Sequence, residues 1–272
     1  MRIQTNIQSM AAQRRMSKLT KDQDRENIRL SSGDRIHQAS YDPSGLAISN
    51  KMESRIRSQQ QAQRNINDGV SMIQVAEGTL SSMHEMGSRL LELSLASAND
   101  TLGDSERAMI AREFDSTKME YHRLRESAMF NGKSLMKGAE VHELQVGIDN
   151  DPNADRISYD LSKLLSKDFG IDKMGITTKY DAQNTIDYTR KMIGEVSRSR
   201  ALLGSVSNSM GAALENLKIS NENLQNSNSK IRDTDIAKSV AKRAIANINK
   251  SATTATLAQA NSNPNRVMKL LS

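Results

Sequence analysis

The sequence has no cysteine, no tryptophan and only three prolines, and its aromatic residues amount to 3%. Each shortage excludes something. Without cysteine there is no disulfide framework, no thiol nucleophile and no thiolate metal site. With so few aromatics the chain lacks the stacking platforms used to hold single-stranded nucleic acid. No apolar run approaches the roughly 18 residues of a membrane-spanning helix. The opening MRIQTNIQSMAAQRRM carries charge but none of the apolar stretch of an ordinary cleavable secretory signal. Hydrophobic residues make up 36% of the 272 positions, and mean hydropathy is −0.62. That composition excludes one thick core and favours narrow apolar seams.

What is present is helical period. Pro43, Pro152 and Pro264 leave two long stretches in which nothing interrupts a helix. Across 44–100, Ile66, Val70, Ile73, Leu80, Met83, Leu90 and Leu93 recur at three- and four-residue steps, which predicts one long amphipathic helix. A second helix is expected from a cap at Asp104/Ser105 to about Ala128. In the C-terminal half, Ile193, Val196, Arg200, Leu203, Ser207, Met210, Leu214, Leu217, Asn221, Leu224, Asn228 and Ile231 alternate by three and four. That is a coiled-coil seam from about 182 to 231, with polar interruptions that fix register. Two helices of matching length pack most simply antiparallel. The expected rod seam is therefore Ile66, Val70, Ile73 and Leu80 against Ile193, Val196, Leu203, Met210, Leu214, Leu217, Leu224 and Ile231.

Between the halves the period changes. His142–Ile148 and Arg156–Leu161 alternate around the turn-rich DNDPNAD, which predicts a β-hairpin over about 142–161. Residues 162–182 hold too few apolar anchors for a domain and form a short variable segment. The expected fold is mainly α: a long antiparallel helical rod and coiled coil built from both halves, with a small β-hairpin region.

Charge is uneven. Residues 1–60 carry 11 Lys/Arg against 6 Asp/Glu, and 232–272 carry 7 against 2, so each end is +5 and the middle −4. Both ends are rich in Ala, Ser, Asn and Gln and sparse in large apolar residues. Such segments bury too little surface to offset ordering entropy, so they are expected to be disordered in the monomer and to fold against other subunits.

No catalytic constellation emerges. His37, His84, His122 and His142 are far apart, with no i,i+4 partner, and no phosphate loop, dinucleotide fingerprint or nucleophile elbow is present. Asp149, Asp151, Asn153 and Asp155 are spaced like a calcium loop, but Ala154 stands where the turn needs glycine and no Glu closes it. A hairpin turn accounts for them. The expectation is no enzyme, no cofactor, no metal, no nucleic acid and no membrane.

Beyond this point resemblance extends the reading. Arg2-Ile3-Gln4-Thr5-Asn6-Ile7, Leu30-Ser31-Ser32-Gly33-x-Arg35-Ile36 and Gly45-Leu46-Ala47-Ile48-Ser49 stand in order. Asn67-Asp68-Gly69-Val70-Ser71, Ala76-Glu77-Gly78-Thr79-Leu80, Phe130-Asn131-Gly132 and Leu144-Gln145-Val146-Gly147 follow. The far end adds Arg200-Ala201-x-Leu203-Gly204, Ile231-Arg232-Asp233-x-Asp235 and Leu257-Ala258-Gln259-Ala260-Asn261. This series resembles bacterial flagellin, in a short form without outer variable domains. Asp34, His37, Tyr41 and Pro43 depart from the family's usual residues, and Asp42-Pro43 is similar to hook–filament junction proteins. That class is the alternative reading, with a coiled-coil adaptor behind it.

The resemblance implies a subunit that polymerises helically into the extracellular flagellar filament and serves motility. It implies an inner coiled-coil domain from 1–40 with 233–272, and a helical rod domain over 41–232. Implied partners are other copies of the chain, an export chaperone, the hook–filament junction and filament cap proteins, and the flagellar export apparatus. Export without a cleavable signal peptide follows. Arg89, Leu93 and Glu113 match positions read by the flagellin-sensing Toll-like receptor, whereas Gly87, Ser88 and Leu91 depart from that pattern.

Overall fold

The computed structural model describes residues 5–136, 142–159 and 171–271, and all structural statements below concern these. The last residues of the expected hairpin, 160 and 161, and residues 162–170 of the segment that follows lie outside them.

Five α-helices account for most of the described chain: α1 (Ile7–Ser32), α2 (Pro43–Ser97), α3 (Asp104–Ser127), α4 (Lys179–Arg232) and α5 (Ile236–Leu271). Their ends follow local chemistry. Asn6 starts α1 by accepting the Ser9 N–H at 3.0 Å. Asp42 starts α2, accepting the Gly45 N–H at 2.9 Å and the Ser44 hydroxyl at 3.1 Å, with Pro43 in the first helical position. The Gly45 and Ser44 bonds hold the Asp42 carboxyl below its ordinary range. For α3 the expected cap is corrected: Gly103 is the cap residue and makes no side-chain bond. Asp104 instead lies inside the first turn, where its charge favours the helix N-terminus.

Two antiparallel strand pairs lie between α3 and α4. In the first, β1 (Met129–Phe130) pairs with β2 (Lys133–Ser134) around Asn131 and Gly132, both at positive φ. This Asn-Gly turn is a strong short-range hairpin signal. In the second, β3 (His142–Gln145) pairs with β4 (Arg156–Tyr159), His142 opposite Tyr159 and Gln145 opposite Arg156. A 3-10 turn at Ile171–Lys173 precedes α4.

The chain divides into two compact units, Met1–Ile56 with Glu222–Ser272, and Arg57–Asn221. The division falls farther into α2 and α4 than the boundaries at 40 and 233 read from the sequence. Polar pairing within the first unit joins the start of α2 to the end of α4: Ser49 Oγ lies 2.7 Å from Asn228 Oδ1.

The Arg57–Asn221 unit holds the main core. Ile66, Ile73, Leu80, Met83 and Leu90 of α2 cluster with Phe114 and Tyr121 of α3 and with Met192, Val196, Leu203 and Met210 of α4. Within this unit α2 and α4 run antiparallel. Gln59 bonds Ser220 at 2.8 Å, Gly69 faces Met210, and Gly87 faces Met192, so the partner number falls as the α2 number rises. The larger hairpin lies on α2, where Asn65 donates to the Gln145 carbonyl at 3.2 Å. A Cβ on Gly69 would stand 2.7 Å from a Leu144 methyl, which is why that position in the quoted motif takes glycine. Arg107, buried on α3, donates to the Ser97 and Asn99 carbonyls at 3.0 and 3.2 Å and closes the open end of α2.

Candidate assembly interface

The unit formed by Met1–Ile56 and Glu222–Ser272 is built the opposite way. Helices α1 and α5 pair antiparallel: Asn6 donates to the Ala260 carbonyl at 2.8 Å, Ser9 meets Asn261 at 2.8 Å, and Lys250 reaches Gln23 at 3.2 Å. On α5, over residues 236–263, the buried positions are Ser239, Ala246, Thr253 and Ala260, one every seventh residue. That is a heptad seam with small side chains in place of leucines, so the helices meet but bury little apolar area. On α1 the buried residues are Ser9 and Glu26.

Several large apolar side chains of the same helices face outward, while Met16, Leu19, Leu30 and Leu257 are half-buried. Ile7, Met10, Ile236, Val240, Ile245 and Ile248 are between 43% and 68% exposed. A groove of about 490 Å³ runs beside them, lined by Ala11, Ala12, Ala252 and Ala260 among others. Periodicity missed this arrangement because it reads apolar residues as the core face, and here several of them lie on the outer one. The four-residue steps Ile236–Val240 and Ala237–Ala241 gave no sign of which face was which.

Of the residues expected in the rod seam, Ile66, Ile73, Leu80, Val196, Leu203 and Met210 are buried in the core, and Val70, Leu214 and Leu217 pack against it partly buried. Ile193 also faces α2, its Cγ1 3.0 Å from where a Cβ on Gly87 would stand. It is half-buried, while Met192 beside it is fully covered. The stripe actually buried on α4 is Ala182, Thr185, Thr189, Met192, Val196, Ser199, Leu203, Val206 and Met210. Thr189 and Ser199 hide there because each hydroxyl bonds the carbonyl four residues back, at 2.8 and 2.9 Å. Leu224 and Ile231 are half-buried and belong to the other unit.

Arg89 is exposed on α2 and donates to the Glu113 and Glu92 carboxylates, which raise its pKa, Glu113 first. Leu93, expected beside them as a contact, is 5% exposed and belongs to the core. His37 tilts against Tyr41 at 4.8 Å, and the Arg25 guanidinium lies 4.7 Å over the Tyr41 ring. Two departures from the family pattern thus pack together. Among the described residues no three His, Asp or Glu side chains converge on a metal position. At the calcium-like spacing, Asp151 and Asp155 accept backbone N–H groups of Asn153 and Asp151 and shape the turn. No helix among the described residues is long and apolar enough to cross a membrane.

Residues 3–140 match the family described as bacterial flagellin N-terminal helical region, and residues 186–271 match the bacterial flagellin C-terminal helical region. The chain belongs to the bacterial flagellin family. It is 36% identical to a flagellin of Halalkalibacterium halodurans over 272 residues, covering 99% of both chains. It is 35% identical to the flagellar filament 30.7 kDa core protein of Treponema maltophilum, again over 99% of both. In fold it is similar to the crystal structure of Bacillus cereus flagellin, with a TM-score of 0.51, 21% identity, and coverage of 57% of this chain and 88% of that one. The flagellin matches run through α1, α2, α3, most of α4 and α5, so they include both the paired terminal helices and the helices of the Arg57–Asn221 unit.

Proposed function

We propose that the chain is a structural subunit that polymerises with its own copies into a bacterial flagellar filament, with no catalysis and no cofactor. The observation that carries this reading is the α1–α5 pair, which buries Ser239, Ala246, Thr253 and Ala260 while leaving Ile7, Met10, Ile236, Val240, Ile245 and Ile248 exposed. Apolar residues exposed at this density favour burial against another chain. Unlike faces on one subunit produce open, helical association rather than a closed ring. The ends of the chain order fully only on assembly, which holds premature polymerisation back.

The relatives named flagellin and flagellar filament core protein support the same reading. From it follow an extracellular filament location, export without a cleaved signal peptide, and an export chaperone that covers the C-terminal helix. Junction and cap proteins bound the polymer at its two ends. The Asp42-Pro43 pair does not favour the junction reading, since its chemistry is that of a helix start. An innate-receptor contact on this chain is confined to the exposed Arg89–Glu113 pair, and loss of receptor signalling on Arg89→Ala tests it.

The test of assembly is Ile245→Lys and Ile248→Lys in the full chain. Seeded elongation should stop while the thermal melting of the Arg57–Asn221 core is unchanged. Normal elongation of both variants would remove this surface from the interface.

A further inference from the structure

The only sulfur in this chain is methionine sulfur: 15 methionines and no cysteine. The fold sorts them by exposure. Met72, Met83, Met136, Met174, Met192 and Met210 are at most 9% exposed, while Met10, Met109, Met119 and Met129 are at least 50% exposed. The last three sit on α3 and β1 of the Arg57–Asn221 unit. Met10 alone of the four belongs to the α1–α5 pair, one helical turn from Ile7, which is itself 62% exposed. Ser9, the residue before it, is buried and meets Asn261 of α5 at 2.8 Å. The inward position thus holds a hydroxyl, and the thioether is left at the surface. A close-packed core shields a thioether from small oxidants, and an exposed position does not.

Hydrogen peroxide changes what this position offers a neighbour. The sulfur attacks one peroxide oxygen; the S–O bond forms, the O–O bond breaks, and a proton shift lets the other oxygen leave as water. The sulfur gives up two electrons and becomes a sulfoxide, a polar and chiral group with an acceptor oxygen. Beside Ile7 that oxygen is buried against apolar side chains once a second copy packs there, and an acceptor buried without a donor is costly. We infer that Met10 is an oxidation site through which a peroxide withholds the free subunit from the filament. The inference rests on the filament reading and adds regulation at the same surface. Oxidation acts before assembly, because packing covers the sulfur afterwards. It is reversible: a methionine sulfoxide reductase removes the oxygen as water at the expense of two thiols. Sulfoxides at Met109, Met119 and Met129 lie off the α1–α5 pair and leave this contact intact.

The test takes isotope-labelled, full-length wild-type chain to partial oxidation with hydrogen peroxide and adds it to untreated wild-type seeds. Peptide mass spectrometry then compares each labelled sulfoxide between the filament and the chain left in solution. Met10 sulfoxide should be about tenfold scarcer in the filament, the effect of one unmet buried acceptor near the low end of its range. Sulfoxides at Met109, Met119 and Met129 should divide evenly. Treated chain given reductase and thiol should elongate as untreated chain does. Met10→Leu keeps the apolar volume and should elongate equally with and without peroxide. An even division of Met10 sulfoxide would overturn the proposal. So would equal depletion of all four sulfoxides, which marks general damage, or inhibition of Met10→Leu by the same dose. If untreated chain fails to extend untreated seeds, the filament reading itself has failed, and that shows before any oxidant is added.

Discussion

Arg232, at the end of α4, holds Asp34 just beyond the end of α1, Nε to Oδ1 at 3.2 Å. The same guanidinium donates to Glu53 Oε2 of α2 at 2.9 Å. Around it the backbone makes an isolated antiparallel bridge: the Thr234 N–H bonds the Gly33 carbonyl at 2.8 Å and the Arg35 N–H bonds the Arg232 carbonyl at 2.6 Å. Three helices are thereby tied within one unit by a clamp that uses Asp34. Asp34 is the first cause of the raised Arg232 pKa.

Replacing Asp34 with leucine should therefore weaken this unit, by about 0.5–1 kcal/mol, since both side chains are 30% exposed and the pair is screened. Thermal melts at low and high salt check it. The difference between wild type and variant should shrink as salt rises.

Burial sets two neighbours apart. Met192→Ala should destabilise the Arg57–Asn221 unit by about 2–5 kcal/mol, the usual range for emptying a buried site, while Ile193→Ala, at a half-buried position, should cost clearly less. Denaturant unfolding of the two single variants decides it. Equal losses would contradict this ranking.

Burial pushes the Tyr121 hydroxyl up to about 12. The neutral phenol is favoured in the folded chain, so this contribution is fully present below the unfolded value of about 10 and is lost as pH rises through about 12. Wild type should lose stability across that window more steeply than Tyr121→Phe. Melting temperature against pH, with tyrosinate absorbance as a second signal, measures it.

Arg107→Met leaves the Ser97 and Asn99 carbonyls without the charged donor that closes α2. A loss of about 1–3 kcal/mol is expected, because buried acceptors are stranded. Hydrogen exchange should localise the loosening to the last turn of α2.

Long, regular elements were legible in the sequence because one side of each helix meets one continuous core. Ile66, Ile73 and Leu80 mark α2, and Val196, Leu203 and Met210 mark α4, at spacings set by 3.6 residues per turn. The alternation at His142–Gln145 likewise gave the larger hairpin. Where seam positions are polar the pattern is silent. Thr189 and Ser199 satisfy their own hydroxyls within α4, so nothing in their hydropathy marks them as buried. The α1–α5 pair was hidden for a related reason: Ala246, Thr253 and Ala260 form its seam, while Ile245 and Ile248 beside them face out. Small residues carry little periodic signal, and nothing in one chain marks an isoleucine as belonging to a neighbour's interface. The small β1–β2 pair was recoverable from Asn131-Gly132, whose positive φ values suit that dipeptide.

The most direct measurement is negative-stain electron microscopy of purified chain added to filament seeds, full-length beside a form lacking residues 1–40 and 233–272. The account expects long filaments from the full chain and none from the trimmed one. Full-length chain that stays in small discrete particles, or trimmed chain that elongates as well, would contradict it.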